Sequence, residues 1–167
     1  MNTKKFIRVF FFCLLACFSA QAYAEVWSIQ VIQHDGNKED IRSSSYLIED
    51  SLMEFFFERG QIASTVPAVT SLGSAYDSKL EAKAIEEVSE GYCDYLIVLA
   101  VDYDTADSRN PAASILENIS AIGWKVIEVS DGSVIASGRA LPSTSKNSKD
   151  IVTFVREIAA NIVASMR

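Results

Sequence analysis

The chain has 167 residues, 49% apolar and 22% charged, with 15 basic against 22 acidic side chains and a formal charge of −7. That length amounts to about one domain, and the apolar share suits a packed core and excludes a disordered or collagen-like chain. Setting aside the first 24 residues, with Lys4, Lys5 and Arg8, leaves 143 residues carrying 12 basic and 22 acidic groups. A body that acidic excludes phosphate-backbone binding, so no nucleic-acid partner is expected, and it excludes general adhesion to anionic lipid.

The amino terminus reads as an export signal over residues 1–24. Lys4, Lys5 and Arg8 form a basic start, Val9 to Phe18 an uncharged apolar run, and Ala22-Tyr23-Ala24 a small-x-small cleavage site. The run is too short to anchor a mature chain across about 30 Å of hydrocarbon. Cleavage between Ala24 and Glu25 leaves a mature chain of residues 25–167 with no transmembrane helix. An alternative is lipidation: Leu14-Leu15-Ala16-Cys17 resembles a bacterial lipobox, with Cys17 as the acylated residue. Against it, Phe18 to Ala24 would be an unusually apolar tether. Cys13 and Cys17 lie in the leader, so Cys93 is the lone mature cysteine and no internal disulfide forms. Its place before an apolar strand predicts a buried, unreactive thiol.

Along the mature chain, Val26 to Ile32 alternates as a strand with Trp27, Ile29 and Val31 on its apolar face. His34-Asp35-Gly36-Asn37 then reads as a turn. Ser43 to Arg59 carries Ile48, Leu52, Phe55 and Phe56 at helical spacing and stops at Gly60. Ile62 to Val69 is a short strand which Pro67 assigns to an edge or an end. Ser78-Lys79-Leu80-Glu81 has the form of a capping box opening a second helix, with Leu80, Ala84, Ile85 and Val88 inward and Gly91 as its end.

Tyr95 to Val101 is an unbroken apolar run, as in a strand covered on both faces, and Asp104 to Pro111 reads as an exposed loop. Ile119 to Val129 and Ser133 to Ala140 flank Ser130-Asp131-Gly132, an antiparallel hairpin signal. After a linker over Leu141 to Lys149, a last amphipathic helix carries Ile151, Phe154, Val155, Ile158, Ile162 and Met166. The order β-α-β-α-β-β-β-α predicts a single α/β (α+β) domain with a mixed sheet and about three helices.

With Gly60, Gly91-Tyr92-Cys93-Asp94-Tyr95-Leu96-Ile97-Val98 and the hairpin Trp124 to Ile135, this order resembles one particular small α/β domain. It is found in the amino-terminal domain of the Tol-system protein TolB, the periplasmic part of the curli secretion channel subunit, and lipoprotein activators of penicillin-binding proteins. Cys93 stands where that group usually has a small residue, and the channel-forming insertions of the curli protein have no counterpart. The resemblance implies a periplasmic, non-catalytic module that binds another envelope protein.

The most suggestive constellation is Asp102-Tyr103-Asp104-Thr105-Ala106-Asp107, directly after the apolar strand. Paired carboxylates at a strand end open the haloacid-dehalogenase phosphatases. Here the Thr falls one position early, and no room remains for the catalytic lysine and acidic motif. Asp102, Asp104 and Asp107 offer oxygen ligands for Ca²⁺ or Mg²⁺, without the glycine turn or distal glutamate of a loop site. The three read as solvated loop carboxylates, candidates for partner contact only.

His34 is the one histidine, which excludes a multi-imidazole zinc site, and it reads as an ordinary surface residue. No Gly-x-Ser-x-Gly elbow and no phosphate-binding glycine loop is present. Successive helix residues point about 100° apart, so Phe55, Phe56 and Phe57 cannot all enter the core. Phe57 is the one left to a loop, to solvent or to a partner. Trp27 and Trp124 are expected to be buried, and Glu81, Glu86, Glu87 and Glu90 to form an acidic outer face.

The expectation is an exported cell-envelope protein, periplasmic or secreted, with no catalytic, cofactor or metal residue. The alternatives are a small periplasmic metal-dependent hydrolase using Asp102 and Asp104, or a secreted structural or inhibitory protein.

Overall fold

The computed structural model describes residues 25–35, 40–103, 116–142 and 150–166. Cys17, Ala24, Asp104 and Asp107 lie outside them. Glu25 is the first described residue and is exposed.

The elements are β1 (Val26–His34), α1 (Ser43–Phe57), β2 (Ile62–Thr65), β3 (Val69–Ser71), α2 (Asp77–Glu90), β4 (Tyr95–Tyr103), β5 (Ile119–Glu128), β6 (Ser133–Ala140) and α3 (Ile151–Ser165). They build one six-stranded mixed sheet in the order β2-β1-β4-β5-β6, with β3 also on β1. β1 runs parallel to β2, β3 and β4, while β5 and β6 are antiparallel additions. β2 and β3 are two pieces of one edge strand, broken around Pro67, where the missing N–H costs an edge nothing. The sequence order is therefore the observed one.

Residue parity sorts the sheet into two faces. Trp27, Ile29 and Val31 of β1, Ile97, Leu99 and Val101 of β4, and Ile122, Trp124 and Val126 of β5 pack against Ile48, Leu52, Phe55 and Phe56 of α1. Ile151, Phe154, Val155, Ile158 and Ile162 of α3 complete that core. On the other face α2 alone covers the sheet, setting Ala84 and Val88 on Ile32, Leu96 and Val98. β1 is thus buried on both faces, not on one, and Ser28 and Gln30 are buried beneath α2. Phe55 and Phe56 are inside and Phe57 is 75% exposed, as helical geometry requires.

Two local devices differ from expectation. α2 begins at Asp77 after a 3₁₀ turn over Ser74–Tyr76, so Ser78 lies inside the helix and the capping box is not used. At the other end of α2 the left-handed residue is Tyr92 (φ 56°), not Gly91 (φ −86°). Asp94 then ties the sheet together: its N–H donates to the Val26 carbonyl (2.9 Å) and its Oδ2 accepts from the Val26 N–H (2.8 Å). That clamp is the structural content of the Gly-x-x-Asp-Tyr segment. Cys93 is half-buried, with Sγ 4.0 Å from Ser64 Oγ, rather than enclosed in the core.

Candidate functional site

The chain leaves β1 for α1 on one face and leaves β3 for α2 on the other. Opposed exits of this kind open a crevice at the carboxyl ends of parallel strands, the usual ligand position in open α/β sheets. His34 and Ser71 are the paired ends of β1 and β3, and His34 also pairs with Asp102 of β4. All three point to the α2 face.

His34 is not a surface residue in a turn. It closes β1, its side chain is 11% exposed, and a carboxylate sits on each ring nitrogen. Nδ1 lies 2.6 Å from Asp102 Oδ1, and Nε2 lies 2.9 and 3.1 Å from the two Asp77 oxygens. Asp77 also accepts from Ser71 Oγ (2.7 Å), and Asp102 accepts from Arg139 Nη2 of β6 (2.7 Å). Asp102 is a strand residue held between the His34 ring and the Arg139 guanidinium, not a solvated loop carboxylate.

The arrangement opens into a cleft of about 780 Å³ between α2 and the α2 face of β4–β6. Its hollow follows from the row of residues across the sheet: Ala100 on β4 pairs with Gly123 on β5, which pairs with Arg139 on β6. Two of the smallest side chains stand where the sheet has no helix above it. On the neighbouring row Lys125 crosses to α2 and donates to Glu81 Oε1 (2.7 Å). Glu81 therefore turns inward, while Glu86, Glu87 and Glu90 keep the exposed acidic face. Leu72 and Val134 bring exposed apolar surface to the rim.

Behind the cleft a second polar group holds the strand ends. Gln33 Oε1 accepts from the Arg42 N–H (2.8 Å) and Ser45 Oγ (2.9 Å). Tyr103 Oη bonds Ser44 (2.6 Å) and Ser45 (3.0 Å), and Arg42 Nε donates to buried Asp35 (2.6 Å). Burial pushes the Tyr103 phenol above its ordinary range, against the opposing pull of those hydroxyls and Arg42. These bonds fix the carboxyl ends of β1 and β4, and with them His34 and Asp102.

The geometry does not gather ligands on a point. Asp77 and Asp102 lie on opposite nitrogens of one ring, and no group of three or more His, Cys, Asp or Glu suited to a metal occurs among the described residues. The sequence pointed to Asp102 but missed His34, Asp77 and Arg139 as its companions. The signals available were the Ala100 and Gly123 gaps in otherwise bulky strands, and an Asp at the start of α2.

Fold and site define a mixed-sheet α/β domain with a charged, internally paired cleft at its switch point. Residues 26–166 match the model of a family described as "Uncharacterised protein", and the chain belongs to that family. No curated protein matches the sequence. Among solved structures, the PelC dodecamer from Paraburkholderia phytofirmans is similar at 15% identity and a TM-score of 0.47, over 86% of each chain. The LpoB C-terminal domain from Salmonella enterica is similar at 14% identity and 0.40, over 76% of this chain and 90% of that one. TolB from Acinetobacter baumannii is similar at 10% identity and 0.45, over 88% of this chain and 30% of that one. TolB belongs to the group that the sequence resembles. No helix among the described residues is long and apolar enough to cross a membrane.

Proposed function

We propose that the chain is exported, loses residues 1–24, and works in the cell envelope as a non-catalytic module that binds another envelope protein at the cleft beside α2. The observation that carries this reading is the pairing of charge in the cleft. His34, Asp77, Asp102, Arg139, Lys125 and Glu81 satisfy one another across five elements. A hydrolytic centre needs a nucleophile or a metal-bound water with a base held toward it. A recognition surface needs a rigid, charge-patterned concavity with an apolar rim. Leu72 and Val134 supply that rim. Phe57, exposed on the opposite side of the sheet with α1, is a secondary candidate contact.

The test places a photo-crosslinking residue at Leu72 or Val134 in living cells, with exposed Lys83 as the control position. One adduct of reproducible mass from both rim positions and none from Lys83 is expected. No rim adduct, or equal labelling from Lys83, refutes the cleft as the binding surface. Intact mass of the mature chain separates Glu25 as first residue from an acylated Cys17. Calorimetric titration with Mg²⁺ and Ca²⁺ is expected to show no saturable heat. Saturable binding that Asp102→Asn abolishes would favour the hydrolase reading.

A further inference from the structure

We propose that what the partner places in the cleft is a free carboxyl terminus ending in an apolar residue, with its carboxylate on Arg139 and its last side chain over Ala100 and Gly123. This rests on the cleft reading above and adds the chemistry of the occupant.

The charged groups of the cleft are paired, but their bonding capacity is unevenly spent. Five of the six oxygens of Asp77, Asp102 and Glu81 already take a bond, and only Glu81 Oε2 has none among the described residues. The donors are in the opposite state. A guanidinium carries five N–H groups and an ammonium three. Arg139 spends Nη2 on Asp102, and Lys125 spends one bond on Glu81, so Arg139 Nε and Nη1 have no bond among the described residues. The hydroxyls of Ser78 and Ser137 line the same cleft and bond nothing among those residues either. The Arg139 side chain is 62% exposed, so its free N–H groups are accessible. Open donors beside filled acceptors suit an anion, and a planar guanidinium suits a carboxylate. A partner's lysine or arginine would find one open oxygen.

The floor beneath these donors is apolar and low. Arg139 pairs with Gly123 and Gly123 with Ala100 in one row, and the Arg139 side chain spans β5 to reach Asp102 on β4. The fold does not require this glycine. Its backbone is not left-handed, and a Cβ there would meet nothing nearer than Ala100 at 3.9 Å. A strand interior gains from a larger residue, so the space kept at Gly123 serves an occupant.

An anion and an apolar group are thus accommodated about one strand spacing apart, ~4.8 Å. A chain's last residue carries both on a single Cα. An aspartate or glutamate spends its side chain on the carboxylate and leaves the floor uncovered, and a phosphate brings no apolar group at all.

The test titrates the processed protein, followed by amide NMR, with the peptide Ser-Gly-Ser-Gly-Ser-Ala-Val-Leu as free acid and as carboxyl-terminal amide. The free acid is expected to bind with a Kd of about 1 mM or tighter, and the amide about tenfold more weakly. Arg139→Gln should remove the difference between the two peptides. Gly123→Val should fill the floor and weaken the free acid about tenfold, with thermal melts confirming that both variants fold. Equal affinity for acid and amide, no binding of either at about 10 mM, or binding indifferent to both substitutions overturns the inference. Crosslinking from Leu72 and Val134 tests the cleft itself, so a rim adduct alongside any of these results removes the carboxyl terminus and leaves the cleft reading standing.

Discussion

His34 at the end of β1 and Asp102, one residue before the end of the adjacent parallel β4, face each other at 2.6 Å, Nδ1 to Oδ1, with Asp77 on the far nitrogen of the same ring. The imidazole is thus a strut between α2 and the sheet centre, and Asp102 passes the connection on to β6 through Arg139. Four elements of the domain meet through these side chains.

Removing the strut leaves two carboxylates facing a void. His34→Ala is expected to cost about 2–3 kcal/mol, since a broken, largely buried pair leaves charge uncompensated. Asp102→Asn should cost only about 1 kcal/mol, because the amide still accepts from a donor and the Arg139 contact is at the surface. Urea unfolding of both variants checks the ranking; equal costs would mean that the imidazole has no bracing role.

Gly138 lies directly under an aromatic ring. A Cβ at this position would come within 2.5 Å of Trp124 Cζ2. Gly138→Ala is therefore expected to destabilise by about 1–3 kcal/mol through overpacking. The displaced indole should also alter the near-ultraviolet circular dichroism and the tryptophan emission.

Tyr92 is 90% exposed yet left-handed, a conformation that costs a side chain about 1–2 kcal/mol and glycine almost nothing. Tyr92→Gly should raise stability by about 0.5–1 kcal/mol after the greater freedom of the unfolded glycine is set against the gain. A fall in the melting temperature would show that the ring makes a compensating contact.

Asp94→Ala removes the acceptor of the Val26 N–H. The expected loss is about 1 kcal/mol, concentrated at the start of β1. Hydrogen exchange should show faster exchange at Val26 and the next few amides, with the centre of β4 unchanged.

Glu49 on α1 sets a pH dependence. Partial burial first, then the neighbouring Asp50, raise its carboxyl above the ordinary glutamate value, and a hydrogen bond with Thr65 offsets part of this. A raised folded value means that the folded state holds the proton more tightly than the unfolded chain. This contribution to stability is complete below the unfolded value and is lost as pH rises through the folded one. Glu49→Gln should therefore raise the melting temperature at neutral pH and flatten its decline through the mildly acidic range. Melts across that range, wild type against variant, read the difference directly.

Element identity and order were legible because they rest on short-range pattern. The period-two run at 26–32, the unbroken apolar run at 95–101, the Asp131-Gly132 hairpin and the three- and four-residue apolar steps in 43–59 and 151–166 each declare themselves locally. The core followed from the same periods, down to which of three consecutive phenylalanines is left outside.

The site was not legible, because it exists only where chain segments far apart in sequence meet. His34 and Asp102 are 68 residues apart, and Arg139 is another 37 beyond Asp102. Strand register alone brought the first two side by side on one face, and the antiparallel return of β5 and β6 brought the third within reach. Read along the chain, each of these residues was a lone polar group beside a strand end. A strand's local sequence sets which face a side chain takes, but its neighbours are chosen by pairing, and pairing is decided by the fold as a whole.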